Sequence, residues 1–317
     1  MPHAADRAGQ AGGVLVYVLA VLAACANALA SVLQRKANRD LPGEDSLRLR
    51  LIADLLHRPV WFAGVAAVTA GFVLQAAALA AGQLSVVEPI LVIELPLTLM
   101  LASRVFRTRL HGREWAASLG MTAGLAALLY FLAPSPGGPH GVAWQAWAIG
   151  GTVNLAVVAA AVQWGRLGRP GRRAAAFGVA AGCQFGLTAA LIKGMADRYA
   201  QGIGAVLTGW PLYAMVASGL LGMFLLQSAM HAGTLVAAQP GLTLSDPLVS
   251  ILWGVLAFDE QVRTGLPHLV PAVAGGVLMA ASVLVLTRAP AFAEQGGAGR
   301  PADAGQPESG RTGGARR

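Results

Sequence analysis

The sequence predicts an all-α protein, a polytopic bundle of about nine transmembrane helices with an inverted internal repeat. Apolar residues make up 56% of the chain and charged residues only 12%, whereas soluble domains carry about 25% charged residues. The weakly charged stretches run to roughly 20 residues, the length that a helix needs to cross a bilayer. Helices are the expected element because an open strand edge cannot be satisfied in lipid.

Apolar runs bounded by polar or charged residues define the predicted spans. In chain order they cover approximately 14–34, 60–81, 84–103, 114–133, 143–164, 174–192, 209–230, 234–257 and 267–287. The first is too long for a signal peptide and ends in Gln34-Arg35-Lys36, which is typical of a stop-transfer signal. A first repeat over 14–133 and a second over 174–288 then flank a linker, 134–173, that contains span five.

The segments outside the spans are polar. The tails, 1–13 and 289–317, are rich in Gly, Ala and Pro, and we expect them to be disordered. The loop after span one carries Leu47, Leu51, Ile52, Leu55 and Leu56 at helical spacing. That stripe predicts a short helix at the lipid interface, with a partner-binding helix as the alternative.

The basic residues predict how the chain is oriented. Of the 23 Lys and Arg residues, only Arg7, Lys193, Arg198 and Arg263 fall on the N-terminal side of the predicted spans. The positive-inside rule therefore places the N-terminus outside and the C-terminus in the cytoplasm of a multi-pass plasma-membrane protein. The formal charge of +8 does not indicate nucleic acid, because these residues lie in short loops between apolar runs. Apart from the lipid bilayer, we expect a small solute or cation as partner and leave a homodimer open.

Two segments align without gaps at an offset of 151 residues. The first reads GQLSVVEPILVIELPLTLML from Gly82, and the second reads GTLVAAQPGLTLSDPLVSIL from Gly233. Besides four leucines, the identities are Gly82 with Gly233, Pro89 with Pro240, and Pro96 with Pro247. Asn27, Ser31 and Lys36 of span one likewise return as Gln184, Thr188 and Lys193 of span six. Five spans separate equivalent elements, so the second copy enters the membrane from the opposite side.

The repeated prolines mark spans three and eight as interrupted helices. Each of Pro89, Pro96, Pro240 and Pro247 removes a backbone donor and frees a carbonyl on the preceding turn. Freed polar groups at membrane depth are tolerated only against protein or water, so broken helices often line a midplane binding site. The alternative is that the prolines only kink these helices for packing.

Three carboxylates lie inside apolar spans: Glu88, Glu94 and Asp246. A charge at the bilayer centre costs at least about 2.5 kcal/mol on insertion scales, so such residues are functional candidates by default. Their repeat counterparts are Gln239 for Glu88 and Ser245 for Glu94, with Asp246 one residue further on. A buried Glu that gains and loses a proton is a candidate coupling site, whereas a pair that stays ionised, Glu88 and Glu94, suits Mg²⁺. For Glu88 the alternative is a helix end near the interface.

Two amides at matched positions of the repeat are further candidates for the site. Asn27 and Gln184 contact a ligand or simply link helices. The sequence contains no nucleotide-binding loop, no metal-ligand spacing and no nucleophile motif, and Cys25 and Cys183 form no redox pair. We therefore expect neither an enzyme nor a cofactor.

These motifs resemble the drug/metabolite transporter (DMT) superfamily and its EamA-type members. The resemblance covers about 15–287 and rests on the two proline-containing third helices, each followed by a charged turn, at 104–109 and at 258–261. SVLQRKA at the end of span one, Trp61 at the start of span two, and SVVEP look more like the NIPA-type branch, which is linked to magnesium transport. EamA-type members usually have ten helices with both ends in the cytoplasm; nine spans depart from that pattern.

Three functions follow as hypotheses. The first is a secondary transporter of a small solute that works by alternating access around a midplane site between the repeats. The alternative is a divalent-cation transporter of the NIPA type, in which Glu88 and Glu94 would bind Mg²⁺. The third hypothesis belongs to another class, a non-transporting membrane scaffold or accessory subunit, and predicts no polar site between the halves.

Overall fold

A computed structural model describes residues 2–39, 59–107, 110–137, 142–199, 201–232 and 235–287. These residues form eleven helices and no strand; the one β-bridge pairs Ser135 with Gln261. In chain order the helices are α1 Pro2–Arg39, α2 Pro59–Ala81, α3 Leu84–Leu91, α4 Glu94–Val105, α5 Gly112–Leu132, α6 Trp144–Arg166, α7 Pro170–Tyr199, α8 Ile203–Leu207, α9 Trp210–Ala232, α10 Leu235–Leu256 and α11 Leu266–Thr287.

Eight segments of the described chain are long and apolar enough to cross a membrane. They lie in α1, α2, α3 with α4, α5, α6, α7, α9 and α11, and they match eight of the nine predicted spans. Many large apolar side chains on them are exposed, for example Leu119, Leu220 and Val277, as lipid-facing residues are. The prediction of an all-α, multi-spanning membrane protein is therefore confirmed.

The ninth predicted span, 234–257, corresponds to α10. This helix has 22 residues, which at about 1.5 Å per residue is long enough to span hydrocarbon. It is nevertheless not among the eight segments. Its polar residues, Gln239, Thr243, Ser245, Asp246 and Ser250, lower its hydropathy.

Two expectations about the ends of the chain have different outcomes. Residues 2–13 are helical, as the first turns of α1, so the prediction of a disordered N-terminal tail is wrong. The reason lies in composition: Ala occurs four times among these twelve residues, and Ala has the highest helix propensity. The C-terminal tail and the predicted interfacial helix at 47–56 lie outside the described residues.

The helices pack as two groups that share contacts in the middle of the bundle. In the first, α1 packs against α2 and against both α3 and α4; in the second, α7 packs against α9 and α10. The groups meet where α3 packs on α10, and α5 packs along α11. Helix α6 lies against α7.

Four chain turns meet at one end of the bundle, which we call the Glu260 end. They are the segments at 82–83, at 133–137 and 142–143, at the C-terminus of α7 and at 257–263. Ser135 and Gln261 exchange backbone hydrogen bonds there, and Lys193 donates to the Gly82 carbonyl at 2.6 Å. We call the opposite end, where α4 ends and α5 begins, where α6 is joined to α7 through 167–169, and where α9 ends and α10 begins, the arginine end.

Helix α7 is the central element of the second group and packs unusually close to α10. A Cβ added at Gly182 would lie 2.5 Å from the Leu242 carbonyl oxygen, and one added at Gly186 would lie 2.8 Å from that of Asp246. Gly178 approaches Ala238 in the same way. Glycines four residues apart allow two helix backbones to touch, and this contact fixes the height of Asp246 in the bundle.

Candidate functional site

Span three is divided in two between Glu88 and Glu94. Pro96 has no N–H for the Val92 carbonyl, and its ring crowds that carbonyl. The Leu95 N–H bonds to Val92 O instead, at 3.2 Å, and the Ile93 N–H bonds to Ile90 O at 3.0 Å. These hydrogen bonds connect residues three apart in the chain, one fewer than in an α-helix. At this tightened turn α3 ends at Leu91, and α4 begins at Glu94.

Span eight differs from this expectation, because α10 is continuous through both Pro240 and Pro247. The expectation that these two prolines break the helix is therefore corrected. Each proline removes one hydrogen bond from the helix, but the glycine face of α7 packs closely along the same segment. That packing holds α10 helical where isolated prolines would bend it.

Glu94 is held by α1. Ser31 donates a hydrogen bond from Oγ to Glu94 Oε1 at 3.4 Å, and the Asn27 side chain bonds to the same carboxylate. Asn27 lies directly over Gly71 of α2, where no larger side chain would fit. The structure thus brings Asn27 and Glu94 together as two members of the candidate site, and it adds Ser31.

Glu88 is buried in α3, with only 4% of its surface exposed. Gln75 of α2 donates a hydrogen bond from Nε2 to Glu88 Oε1 at 2.8 Å. Sequence reasoning missed Gln75, although an amide in the middle of an apolar span was a visible signal. The close amide partner places Glu88 inside the protein rather than at an exposed helix end.

Asp246 of α10 is close enough to Glu88 and Glu94 to interact electrostatically with both. Its Oδ1 is buried and has no hydrogen-bond partner, and the same is true of Ser250 Oγ one helical turn further along α10. We call Glu88, Glu94 and Asp246 the carboxylate cluster. In the described part of the chain, no Lys or Arg forms a salt bridge with any of the three.

The other two amide candidates lie apart from these contacts. Gln184 Nε2 donates to Ser218 Oγ at 2.9 Å, and Gln184 Oε1 accepts from Asn154 Nδ2 at 3.3 Å. Gln184 therefore links α7 to α9 and α6, as the helix-linking alternative predicts. Gln239 donates to Thr243 Oγ1 of its own helix at 3.4 Å.

An apolar groove of about 520 Å³ opens beside this amide network, between α6 and α9. Trp144, Trp147, Trp210 and Leu221 line it, and Gln184 and Ser218 form its polar part. The groove is separate from the carboxylate cluster, because none of the three acids lines it.

A buried ionic junction closes the Glu260 end. Glu260 is 3% exposed and accepts hydrogen bonds from Leu84 N at 2.7 Å, Ser85 N at 2.9 Å and Ser85 Oγ at 2.5 Å. It thereby caps the first turn of α3, where a negative charge is favourable. Lys193 Nζ lies 4.0 Å from Glu260 Oε1. Sequence reasoning treated Glu260 only as part of a charged turn and missed this role.

Lys193 completes the junction on the other side. Its ammonium donates to the carbonyls of Leu79 and Gly82, at the C-terminal end of α2. A cation at that end of a helix is favourable for the same electrostatic reason. A polar cavity of about 230 Å³ adjoins the junction and is bordered by Lys193, Asp197 and Glu260.

The metal hypothesis finds no geometric support in the described residues. Among them, no group of three or more His, Cys, Asp or Glu side chains is arranged to hold a metal ion. The carboxylate cluster is therefore defined by the electrostatic interaction of Asp246 with Glu88 and Glu94.

Comparison with known proteins identifies a relative of this chain. The chain is 31% identical over 253 residues to the uncharacterized protein Cgl0250/cg0304 of Corynebacterium glutamicum. The alignment covers 78% of this chain and 86% of the relative. The chain belongs to the family of that protein. No family model matches the sequence, and no solved structure matches it; since the relative is itself uncharacterized, the function has to be argued from the site.

Proposed function

We propose that this protein is a secondary transporter that carries a small solute across the plasma membrane by alternating access. The observation that carries this proposal is the carboxylate cluster, in which Asp246 has a buried, unpartnered oxygen beside two further acids. Three like charges at membrane depth, with no basic partner among the described residues, are stable only when protons or a bound cation neutralise them. A site that must exchange a charge is what a coupled transporter requires.

The position of the cluster supports the same proposal. Glu88 and Glu94 flank the break between α3 and α4, and Asp246 belongs to α10, which packs on α3. The cluster thus lies where the two predicted repeats meet, and sites of inverted-repeat transporters lie at such an interface. The resemblance to the DMT superfamily points the same way.

The contacts at the Glu260 end give the proposed cycle a closed face. Glu260 joins the turn after α10 to the first turn of α3. Opening the site toward this end requires these hydrogen bonds to break. We infer nine spans with the Glu260 end extracytoplasmic; the meeting of four turns at one end supports this count, because α10 must then cross the membrane.

Transport can be tested with purified protein in liposomes that enclose a pH-sensitive dye. A thermal-shift screen of metabolites and Mg²⁺ first selects a probe, and the proton flux that this probe drives is then measured. We expect Asp246→Asn and Glu94→Gln to abolish coupled flux. Glu114→Gln serves as the control, because Glu114 is also buried but caps α5 through His111 N.

Three outcomes separate the hypotheses. A metabolite that drives proton flux in the wild type and the control, but not in the cluster variants, supports the proposal. The divalent-cation alternative is supported if Mg²⁺ shifts the unfolding temperature and the protein rescues a magnesium-uptake-deficient host. Neutralising Glu88 and Glu94 should then abolish this rescue. If no ligand shifts the unfolding temperature and no proton flux is seen, both transport hypotheses are contradicted and the scaffold hypothesis is favoured.

A further inference from the structure

The turn between α6 and α7 concentrates positive charge at the arginine end. Four arginines lie within eight residues, Arg166, Arg169, Arg172 and Arg173, and all four are exposed. Only residues 167–169 separate the two candidate membrane spans, Trp144–Arg166 and Pro170–Tyr199. We call residues 164–173 the arginine turn; its short connection fixes these charges at the membrane boundary.

The arginine turn is ordered by aromatic contacts. The guanidinium carbon of Arg172 lies 4.0 Å from the centre of the Trp164 ring, and that of Arg173 lies 5.5 Å from the Phe177 ring. Arg172 reaches Trp164 by folding over Gly168, where an added Cβ would lie 2.8 Å from Arg172 Cδ. Stacking on an aromatic face holds a guanidinium in place while its N–H donors stay available.

Among the residues that the structure describes, no acid pairs with this turn. The sequence has no Asp or Glu between Glu114 and Asp197. None of the four arginines forms a salt bridge with any residue that the structure describes. Helix α7 also begins here, at Pro170, and its dipole adds positive potential. These charges are not compensated by any described acid, so an anion from outside the protein would complement them.

We propose that the arginine turn binds the phosphate headgroup of an anionic phospholipid. Trp164 and Leu167 are 54% and 78% exposed and lie in the same turn, so they reach the level of headgroups and upper acyl chains, where Trp is favoured. Guanidinium groups bind phosphate oxygens through paired N–H donors. The exposed apolar residues favour a lipid over a soluble anion, which would leave them without a partner.

Lipid retention on the full chain tests the proposal. The protein, purified in mild detergent, is titrated with phosphatidylglycerol or phosphatidylcholine, and bound lipid is counted by native mass spectrometry. Basic residues near an anionic surface contribute about 1 kcal/mol each, roughly a 5-fold change in affinity. We expect Arg169→Gln, Arg172→Gln and Arg173→Gln combined to weaken phosphatidylglycerol binding on the order of 100-fold.

A matched triple variant tests whether the loss of binding is specific to the arginine turn or follows from the positive charge of the whole arginine end. Arg104→Gln, Arg107→Gln and Arg113→Gln combined remove the same charge at the same end, and we expect at most a few-fold change. Equal losses in both triple variants, or no preference of the wild type for phosphatidylglycerol, would overturn the proposal. If the first triple variant does not fold, Arg172→Gln alone is used, with a loss of roughly 5-fold expected.

Inorganic phosphate distinguishes the two possible sources of the anion. We expect millimolar phosphate to leave bound phosphatidylglycerol in place, because it cannot contact Trp164 and Leu167. Displacement of the lipid by phosphate at comparable concentration would identify a soluble-anion site and refute the lipid assignment.

Discussion

At the scale of single residues, the buried acids of this protein have two different surroundings. Glu260 accepts three hydrogen bonds and lies beside an ammonium, so its charge is compensated within the fold. Asp246 has a buried oxygen without a donor and two acids nearby. The first arrangement stabilises one conformation, whereas the second has no compensating group among the described residues. This contrast is the reason why we propose a functional role for Asp246 and a structural one for Glu260.

Glu260→Gln is expected to destabilise the protein. The amide loses the charge and turns a donor toward the N–H groups of Leu84 and Ser85, and hydrogen bonds to charged groups contribute about 1.5–3 kcal/mol. A clear fall in the thermal unfolding midpoint in detergent should follow. Asp259→Asn, at the exposed neighbouring position with φ 54°, should change the midpoint little, because Asn tolerates that conformation. Equal falls in the two variants would contradict the capping role.

At the scale of elements, α7 and α10 form the tightest helix pair of the second group. The glycines at 178, 182 and 186 let the two backbones touch, and this contact keeps α10 straight through its prolines. In span three the helix divides instead, since the Pro96 ring and the missing N–H are accommodated by a tightened turn at Val92–Ile93. One sequence motif therefore gives two conformations, and the neighbouring helix decides which.

Gly182→Ala is expected to disrupt the α7–α10 pair. The new methyl group would lie 2.5 Å from Leu242 O, and overpacking of this kind costs about 1–3 kcal/mol. Gly276→Ala in α11 is the matched control, because nothing lies within 4 Å of its Cβ position. There, helix propensity predicts unchanged or slightly higher stability. Thermal unfolding of both variants decides the question, and an unaffected Gly182→Ala protein would show that the helices can separate at little cost.

At the scale of the whole molecule, the two ends of the bundle differ in chemistry. The Glu260 end has acids and bases in contact and joins four turns through backbone and side-chain hydrogen bonds. The arginine end carries most of the exposed basic residues, among them Arg104, Arg107 and Arg169. By the positive-inside rule, this asymmetry predicts that the arginine end faces the cytoplasm.

Cysteine labelling tests this topology and the crossing of α10. In a chain with Cys25→Ala and Cys183→Ala, Gln261→Cys and Thr208→Cys should react with a membrane-impermeant maleimide from outside intact cells. Arg107→Cys and Arg169→Cys should react only after the cells are opened. Labelling of Gln261→Cys and Arg107→Cys from the same side would show that α10 does not cross.

Much of the fold follows from the sequence alone. Charge-poor runs of membrane length gave eight helices that the structure contains, because hydrocarbon thickness and backbone hydrogen bonding leave little choice of element. The sequence also identified the acids of the carboxylate cluster, since a charge in such a run is costly and therefore conspicuous. The sequence did not predict that Asn27 contacts Glu94; its role as a ligand contact stays a prediction.

Only the tertiary structure decided which polar residues act together. Asn27 and Gln184 look equivalent in the sequence, yet Asn27 binds Glu94 whereas Gln184 links three helices. Gln75 and Glu260 gained their roles from partners 13 and more than 170 residues away in the chain. Such pairings depend on helix rotation and depth, which side-chain packing sets, and an apolar sequence contains little record of either.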